Sequence, residues 1–311
     1  MGSEMCIRDR IYTPIVIDRN HAFTKVDGVL FKQMLKMLSL DFICNYDSLI
    51  LKDTKKINKL AFALDMAVAG RSDESVWIRQ AQEIRRQMTD SLIDSAFTYL
   101  PEGVKHDEIE LIKRKLKRRR LELEAVASQY YRLLQRTPVV AGTNQSDYFL
   151  IERQAPDRTV LRIYDPETGD CRLEQQFSGK ETKELWLYGL AGNDTFEVKG
   201  NTRKDFPIYL ISGEGENQYQ LNHNRKIHVY DKDYKYDYQK IKYHKISFTP
   251  WGIYDSDKGI SLGTFFTYTM YGFKRAPFTY QHRIGYNYLK GFMYAGIFPN
   301  YDGRRLSLIH I

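Results

Sequence analysis

Two hydrophobic periods divide the chain, with the change near Val139. Before it, apolar residues recur every three to four positions, as in helices that bury one face. Phe31, Leu35 and Leu38 follow this spacing, and so do Leu60, Leu64 and Val68. Ile15-Val16-Ile17 is a short extended piece, and Gly70 with Arg71-Ser72-Asp73 reads as a helix stop and a new N-cap. From Val76 to about Tyr99, the stripe Trp77, Ala81, Ile84, Met88, Leu92, Ala96 and Tyr99 predicts one long amphipathic helix. Pro101 and Gly103 end it. A second helix is predicted from Asp107, with Glu110 at capping-box spacing, and carries Ile109, Ile112, Leu116 and Leu123. A third covers Ala125 to Leu134 and stops before Pro138.

Beyond Val139 the pattern alternates. Tyr148–Ile151, Val160–Tyr164, Leu185–Tyr188, Phe196–Val198, Ile208–Ile211 and Ile227–Tyr230 read as short strands separated by Gly and Asn/Asp turns. Within them lies a weak repeat at an offset of 23 residues. Leu187 aligns with Leu210, Gly192 with Gly215, Asp194 with Asn217, Phe196 with Tyr219 and Val198 with Leu221. Such a period suggests stacked β units, each burying its apolar face on the next. After a Tyr/Lys/Asp-rich stretch at 231–245 the alternation lengthens. Ile260, Leu262, Phe266, Tyr268 and Met270 alternate with Ser261, Gly263, Thr267 and Thr269. Past the polar turn Lys274-Arg275-Ala276-Pro277, Phe278, Tyr280, Ile284, Tyr286 and Tyr288 alternate with Thr279, Gln281, Arg283, Gly285 and Asn287. His282 is the one misfit on the apolar side.

Composition sharpens the reading of that last region. Sixteen of the 42 aromatic residues fall within the 58 positions 248–305. Strands of about 10 residues suit a tilted membrane strand, with one face to lipid and aromatic girdles at the water interfaces. A soluble hairpin packed on one face is the alternative, and so many Tyr opposite Gly and small polar residues fit it poorly. The expected lipid-facing residues are Ile260, Leu262, Phe266, Tyr268, Met270, Phe278, Tyr280, Ile284, Tyr286 and Tyr288. No run is apolar enough for a membrane helix, and the mean hydropathy is −0.52. The net charge of +8 is concentrated in Lys113–Arg120, where Leu116 and flanking Glu108, Glu110, Glu122 and Glu124 favour a solvated or interfacial helix face over nucleic-acid binding. Cys6, Cys44 and Cys171 have no zinc or redox spacing.

Candidate chemistry is sparse. YGLAGNDTF and SGEGENQYQL resemble the Gly/Asp nonapeptide of calcium-binding β-rolls. However, Asn217 replaces the aspartate in the second copy and the turns are too far apart to share an ion, so plain turn chemistry is expected. Asp18 follows a short apolar strand, a common place for a magnesium ligand and equally for an N-cap or a paired structural aspartate. His21 has no second ligand at zinc spacing. No catalytic or cofactor-binding constellation is recognisable, so an enzymatic role is not expected for these residues.

The two ends read as foreign. LSLIHI at 306–311 and MCIRDR at 5–10 are translations of one short oligonucleotide in its two orientations, similar to the transposon end used in sequencing-library preparation. Residues 1–10 and 306–311 are accordingly read as adapter, and the natural chain as running past both.

Five stretches resemble a family of large envelope proteins from Bacteroidota-type bacteria. They are IVIDRNHAF with the following VDG, TDSLIDSAFTYLP, KLKRRR with the YYRLL after it, LWLYGLAGNDTFEV, and GISLGTFFTYTMYGFKRAPFTYQH. Together they cover most of residues 15–290. The family's C-terminal part is a BamA/TamA (Omp85-like) surface-antigen barrel, and many members bear the name metallophosphoesterase because some hold a calcineurin-like domain far upstream. The resemblance implies an outer-membrane location with the soluble part in the periplasm, lipid and envelope protein clients as partners, no nucleic acid, and a role in outer-membrane protein assembly or transport. It also implies that the segment before a DRD-like motif is similar to a kinase-like lobe whose first Asp binds a divalent metal. Only Asp18 matches here, since Asn20 stands at the second acidic position. The phosphoesterase signatures Asp-x-His and Gly-Asn-His-Asp/Glu are absent from the sequence.

The expected fold is α+β. A remnant of an upstream, kinase-like domain (11–70) leads into a helical region (71–137) and a β-rich, solenoid-like soluble domain (138–246). The first two or three strands of a truncated antiparallel outer-membrane β-barrel (247–305) follow. The alternative functions are a non-catalytic spacer of an envelope metallophosphoesterase or kinase-like phosphotransferase, and a soluble β-solenoid binding domain marked by parallel rungs over 139–230.

Overall fold

A computed structural model describes residues 23–37, 40, 42–100, 103, 105–200, 204–221, 226–231, 236–237, 241–242, 244–256, 259–273, 277–288, 291–299 and 306–310. The architecture is α+β, with three sheets among the described residues. The chain forms two compact units. The first is built chiefly from Asn45–Lys55 and Met66–Tyr236, the second from Val26–Cys44, Lys56–Asp65 and Asp237–Ile311.

The helices are α1 (Val29–Met37), α2 (Thr54–Ile57), α3 (Phe62–Val68), α4 (Glu74–Gln87), α5 (Asp90–Ala96), α6 (His106–Leu121) and α7 (Leu123–Leu134). Asp73 stands at the N-cap of α4, as the sequence suggests. The single helix predicted over 76–99 is broken, however. Met88 leaves helical geometry, and the Thr89 hydroxyl accepts the Leu92 amide at 3.1 Å to start α5. The apolar stripe runs through the break without a change of phase, so periodicity alone does not reveal it. Ile84, Leu92 and Tyr99 are consequently exposed rather than parts of one buried face. Thr89→Ala is expected to lower the stability of the first unit by about 1 kcal/mol, because an N-cap is lost. Urea unfolding measures this.

Helix α4 packs on α7 through the Trp77 ring, edge-on to Tyr130 at 5.8 Å. The Asp107/Glu110 box does not form, since α6 starts at His106 and Glu110 pairs with Lys113 at 2.8 Å. Most of the basic run is held within the same unit. Lys117 bonds Asp94 at 2.8 Å and Arg120 bonds Asp90 at 2.7 Å. Lys115 donates to the Tyr46 carbonyl at 2.6 Å, and the Arg119 guanidinium lies 4.3 Å from the Tyr46 ring centre.

Two sheets of the first unit form a short solenoid. The strands are β1 (Val139–Ala141), β2 (Tyr148–Gln154), β3 (Arg158–Tyr164), β4 (Cys171–Ser178), β5 (Leu185–Tyr188), β6 (Thr195–Gly200), β7 (Ile208–Ile211), β8 (Gln218–Leu221) and β9 (Ile227–Tyr230). One sheet is all parallel in the order β1-β5-β7-β9. The other runs β4-β3-β2-β6-β8, with β2, β6 and β8 parallel and β3–β4 an antiparallel hairpin. The repeat is physical: Leu187 is registered with Leu210, Phe196 with Tyr219 and Val198 with Leu221. An earlier rung, β1 and β2, stacks beneath, with Val140 opposite Leu187 and Phe149 opposite Phe196.

Val140, Leu185, Leu187, Ile208 and Leu210 from one sheet share a buried cluster with Phe149, Ile151, Phe196 and Val198 from the other. Within it Phe149, Phe196 and Tyr219 stack rung on rung, at 4.6 Å and 5.7 Å between ring centres. Strands buried on both faces read as continuous apolar runs, which explains LWLY at 185–188. At the first rung, the half-buried Arg71 guanidinium donates to the Ala141 carbonyl at 2.9 Å.

The third sheet belongs to the second unit. Its strands are β10 (Lys245–Asp255), β11 (Gly259–Met270), β12 (Tyr280–Asn287), β13 (Gly291–Pro299) and β14 (Leu306–His310). Each pairs antiparallel with the next. Among the described residues β10 and β14 are its edges, and no pairing closes it into a barrel. Four strands lie between 245 and 299 where the alternation marks two runs, and β14 falls on the segment read as adapter.

Candidate functional site

Because residues two apart share a face, strand register decides what the third sheet presents. Phe266 lies opposite Ile284, Tyr268 opposite His282, Met270 opposite Tyr280 and Thr264 opposite Tyr286. These pairs place Ile260, Leu262, Phe266, Tyr268, Met270, Tyr280, Ile284 and Tyr286 on one side. Ile246, Phe248 and Tyr254 of β10 join that side through their partners Tyr268, Phe266 and Ile260, and Phe292 of β13 joins through Tyr286. This is the exposed side: Ile246 is 76% and Phe292 82% accessible. Phe278 and Tyr288, predicted on the same strand, fall outside β12, because the strand begins at Tyr280 and ends at Asn287. Tyr288 is nonetheless exposed in the turn that follows.

The opposite side carries Ser261, Thr267, Thr269 and Asn287, all buried. Asn287 Nδ2 donates to Ser261 Oγ at 2.6 Å, and Gln281 Nε2 donates to Thr269 Oγ1 at 2.8 Å. Where this side carries rings, glycine makes room. A Cβ on Gly285 would come within 2.4 Å of the Phe265 ring, and one on Gly263 within 2.7 Å of the Trp251 indole. Those two rings stack at 5.5 Å. The misfit His282 is satisfied laterally, its Nδ1 lying 2.7 Å from the Tyr294 hydroxyl. The sheet thus hides small polar groups and shows large apolar ones, the reverse of a water-soluble sheet.

The solenoid offers a second feature, a ladder at one turn of each rung. The Asp147 amide donates to Asp194 Oδ1 at 2.9 Å, and the Asp194 amide donates to Asn217 Oδ1 at 3.0 Å. The Glu216 amide likewise donates to Asn193 Oδ1 at 2.9 Å. The Asp and Asn side chains therefore serve backbone groups of neighbouring turns, as the turn-chemistry reading expects. Among the described residues no group of three or more His, Cys, Asp and Glu is placed to hold a metal.

The three ladder positions are not equivalent. Asp147 Oδ2 accepts from the Thr143 amide at 2.6 Å and its hydroxyl at 2.9 Å, while Oδ1 takes Arg172 at 2.6 Å. Arg172 also bonds Asp165, which is held below the ordinary carboxylate range by the Glu167 amide first and by Arg172 second. Asp194 Oδ2 has no hydrogen-bond partner. The side chain is wholly buried, and burial, reinforced by the Asp147 charge, pushes its pKa up to about 7. A Cβ on Gly189 would lie 2.1 Å from this oxygen, so only glycine leaves it space.

The residue one past Gly189, Leu190, takes φ +80°, and Gly213 takes the same value, +79°, one rung later. Left-handed backbone suits glycine and strains leucine. Leu190→Gly is expected to stabilise the solenoid by about 1 kcal/mol, seen as a raised thermal midpoint.

Sequence reasoning missed the first rung of this ladder, Gly142 to Phe149. The spacing Asx-x-aromatic, at Asp147-Tyr148-Phe149, Asp194-Thr195-Phe196 and Asn217-Gln218-Tyr219, is the signal that finds it. Asp18, the one expected metal ligand, lies outside the described residues. Comparisons of the chain with protein-family models, with curated proteins and with solved structures give no match.

Proposed function

We propose that this chain is a section of an outer-membrane β-barrel protein, in which a helical and solenoid region precedes successive strands of the barrel wall. One observation carries the reading: the third sheet exposes Ile, Leu, Phe and Tyr and buries Ser, Thr and Asn. In water that arrangement leaves apolar area uncovered at roughly 25 cal/mol per Å². Against lipid it removes the cost. The soluble part faces the periplasm, and the protein acts in assembly or transport of outer-membrane proteins, in line with the resemblance to Omp85-like surface antigens. The native coding sequence beyond Arg305 tests this. Further alternating segments of about 10 residues are expected there, and a stop within a few codons contradicts the proposal.

A second reading is favoured by a separate observation. The parallel rungs over 139–230 also fit a soluble β-solenoid binding module, which the same polypeptide can carry beside a membrane sheet. The spacer role in an envelope phosphoesterase or phosphotransferase has no observation of its own here.

The exposed face has a direct consequence in solution. In detergent-free buffer the chain is expected to self-associate through it, and in dodecylmaltoside to become monodisperse, as size-exclusion chromatography reports. A monodisperse, cooperatively folding chain without detergent contradicts the lipid reading.

A further inference from the structure

The second unit exposes apolar side chains outside its sheet as well. Helix α1 has the sequence VLFKQMLKM and is anchored through buried Leu35, with buried Val26 just before it. Leu30, Phe31 and Met34 extend the apolar arc that Leu35 begins, yet they are exposed, Leu30 to 87%. Lys32 and Gln33 lie on the remaining side of the helix. A second apolar stretch runs from Ile57 at the end of α2 through Leu60 in the following turn to Leu64 in α3, and is also exposed, Leu60 to 71%, while Phe62 between them is buried. Lysines accompany the apolar residues of both segments, Lys32 in the first, Lys56 and Lys59 in the second, where Asp65 follows Leu64. The Lys59 ammonium sits 6.0 Å from the Phe42 ring centre.

We propose that α1 and the Ile57–Leu64 stretch lie in the interfacial layer of a phospholipid membrane, bordering the boundary that the outward face of the third sheet meets. This rests on the reading of that sheet as lipid-facing. Continuity supports lipid as the occupant. Helix α1 packs against β10, the strand whose outward residues Ile246, Phe248 and Tyr254 are all exposed. Charge supports it too. An amphipathic helix with apolar residues on one side and lysines beside them suits an interface of acyl chains below phosphate headgroups.

The test is fluorescence quenching on the full chain in phosphatidylethanolamine/phosphatidylglycerol vesicles. Cys6, Cys44 and Cys171 are replaced by serine, and one bimane label is placed at a time by Leu30→Cys, Leu60→Cys, Gln33→Cys or Ile284→Cys. Positions 30 and 60 are so exposed that the substitutions remove no packing. Lipid-borne nitroxide is expected to quench the labels at 30 and 60 from a shallow position and the label at 284 from a deeper one. The label at 33 is expected to answer only to aqueous iodide. Quenching at 284 with iodide access at 30 and 60 overturns the inference and leaves the reading of the sheet standing. Labels at 30 and 60 shielded from both quenchers overturn it in favour of a covering polypeptide, either another part of the chain or a second copy. No lipid quenching at 284 removes both.

Discussion

Ile284→Glu is expected to abolish the chain's flotation with phospholipid vesicles, while Arg283→Gln, one residue along the same strand, leaves it unchanged. Ile284 is on the exposed apolar side and faces Phe266 across the strand pair, whereas Arg283 is on the opposite side, with its guanidinium 5.6 Å from the Phe265 ring centre. A charge on the lipid face of a membrane strand costs about 2–4 kcal/mol near the midplane and less toward the surface, with carboxylates somewhat below lysine and arginine. Two such changes on neighbouring strands, Ile284→Glu with Phe266→Glu, compound the loss by placing like charges opposite each other. If the sheet were one wall of a soluble core, the difference between the two variants would vanish. Ile284→Glu would then be tolerated as a surface change, and flotation would depend on neither residue.

Asp194→Asn is expected to stabilise the solenoid most at alkaline pH and hardly at all in acid. The folded carboxyl has its pKa pushed up to about 7 from 3.8, so the native state holds this proton more tightly than the unfolded chain does. The protonated side chain therefore favours folding fully below the unfolded pKa. That contribution drains away as pH rises through 3.8 toward 7 and is gone above it. Integrated over the shift it is about 4 kcal/mol. Asparagine keeps the oxygen that accepts the Asp147 amide and never ionises, and the next rung already uses it at Asn217. In urea unfolding followed by tryptophan fluorescence, the variant is expected to exceed the parent by about 4 kcal/mol at pH 8 and by about 1 kcal/mol at pH 4.5. Asp165, whose pKa is lowered, acts in the opposite direction and in more acid solution, so the two windows separate. Parallel stability curves for the two proteins would show that Asp194 is not the group involved.

What could be read in advance follows from how each element stores its pattern. The sheet face was legible because a strand writes its environment into alternate letters: Ile260, Leu262 and Phe266 stand against Ser261, Gly263 and Thr267. The rungs at 185–221 were legible because they recur at a constant offset of 23 residues. The rung at 139–154 was not, because the β3–β4 hairpin lengthens its offset to 47 residues. The break at Thr89 was hidden for another reason. Its cap needs only one hydroxyl, and the apolar phase passes through it unaltered. The unpartnered Asp194 oxygen was beyond sequence altogether, since Asp147 occupies the same ladder position with every oxygen bonded.

The lipid-facing sheet is tested most directly by single-cysteine scanning of β11 in vesicles with a membrane-impermeant maleimide, in a background where Cys6, Cys44 and Cys171 are serine. Positions 260, 262 and 266, whose side chains the sheet leaves exposed, are expected to be closed to this reagent yet open to a bilayer-soluble maleimide, while the buried positions 261, 267 and 269 react with neither. Reaction of positions 260, 262 and 266 with the impermeant reagent would contradict it.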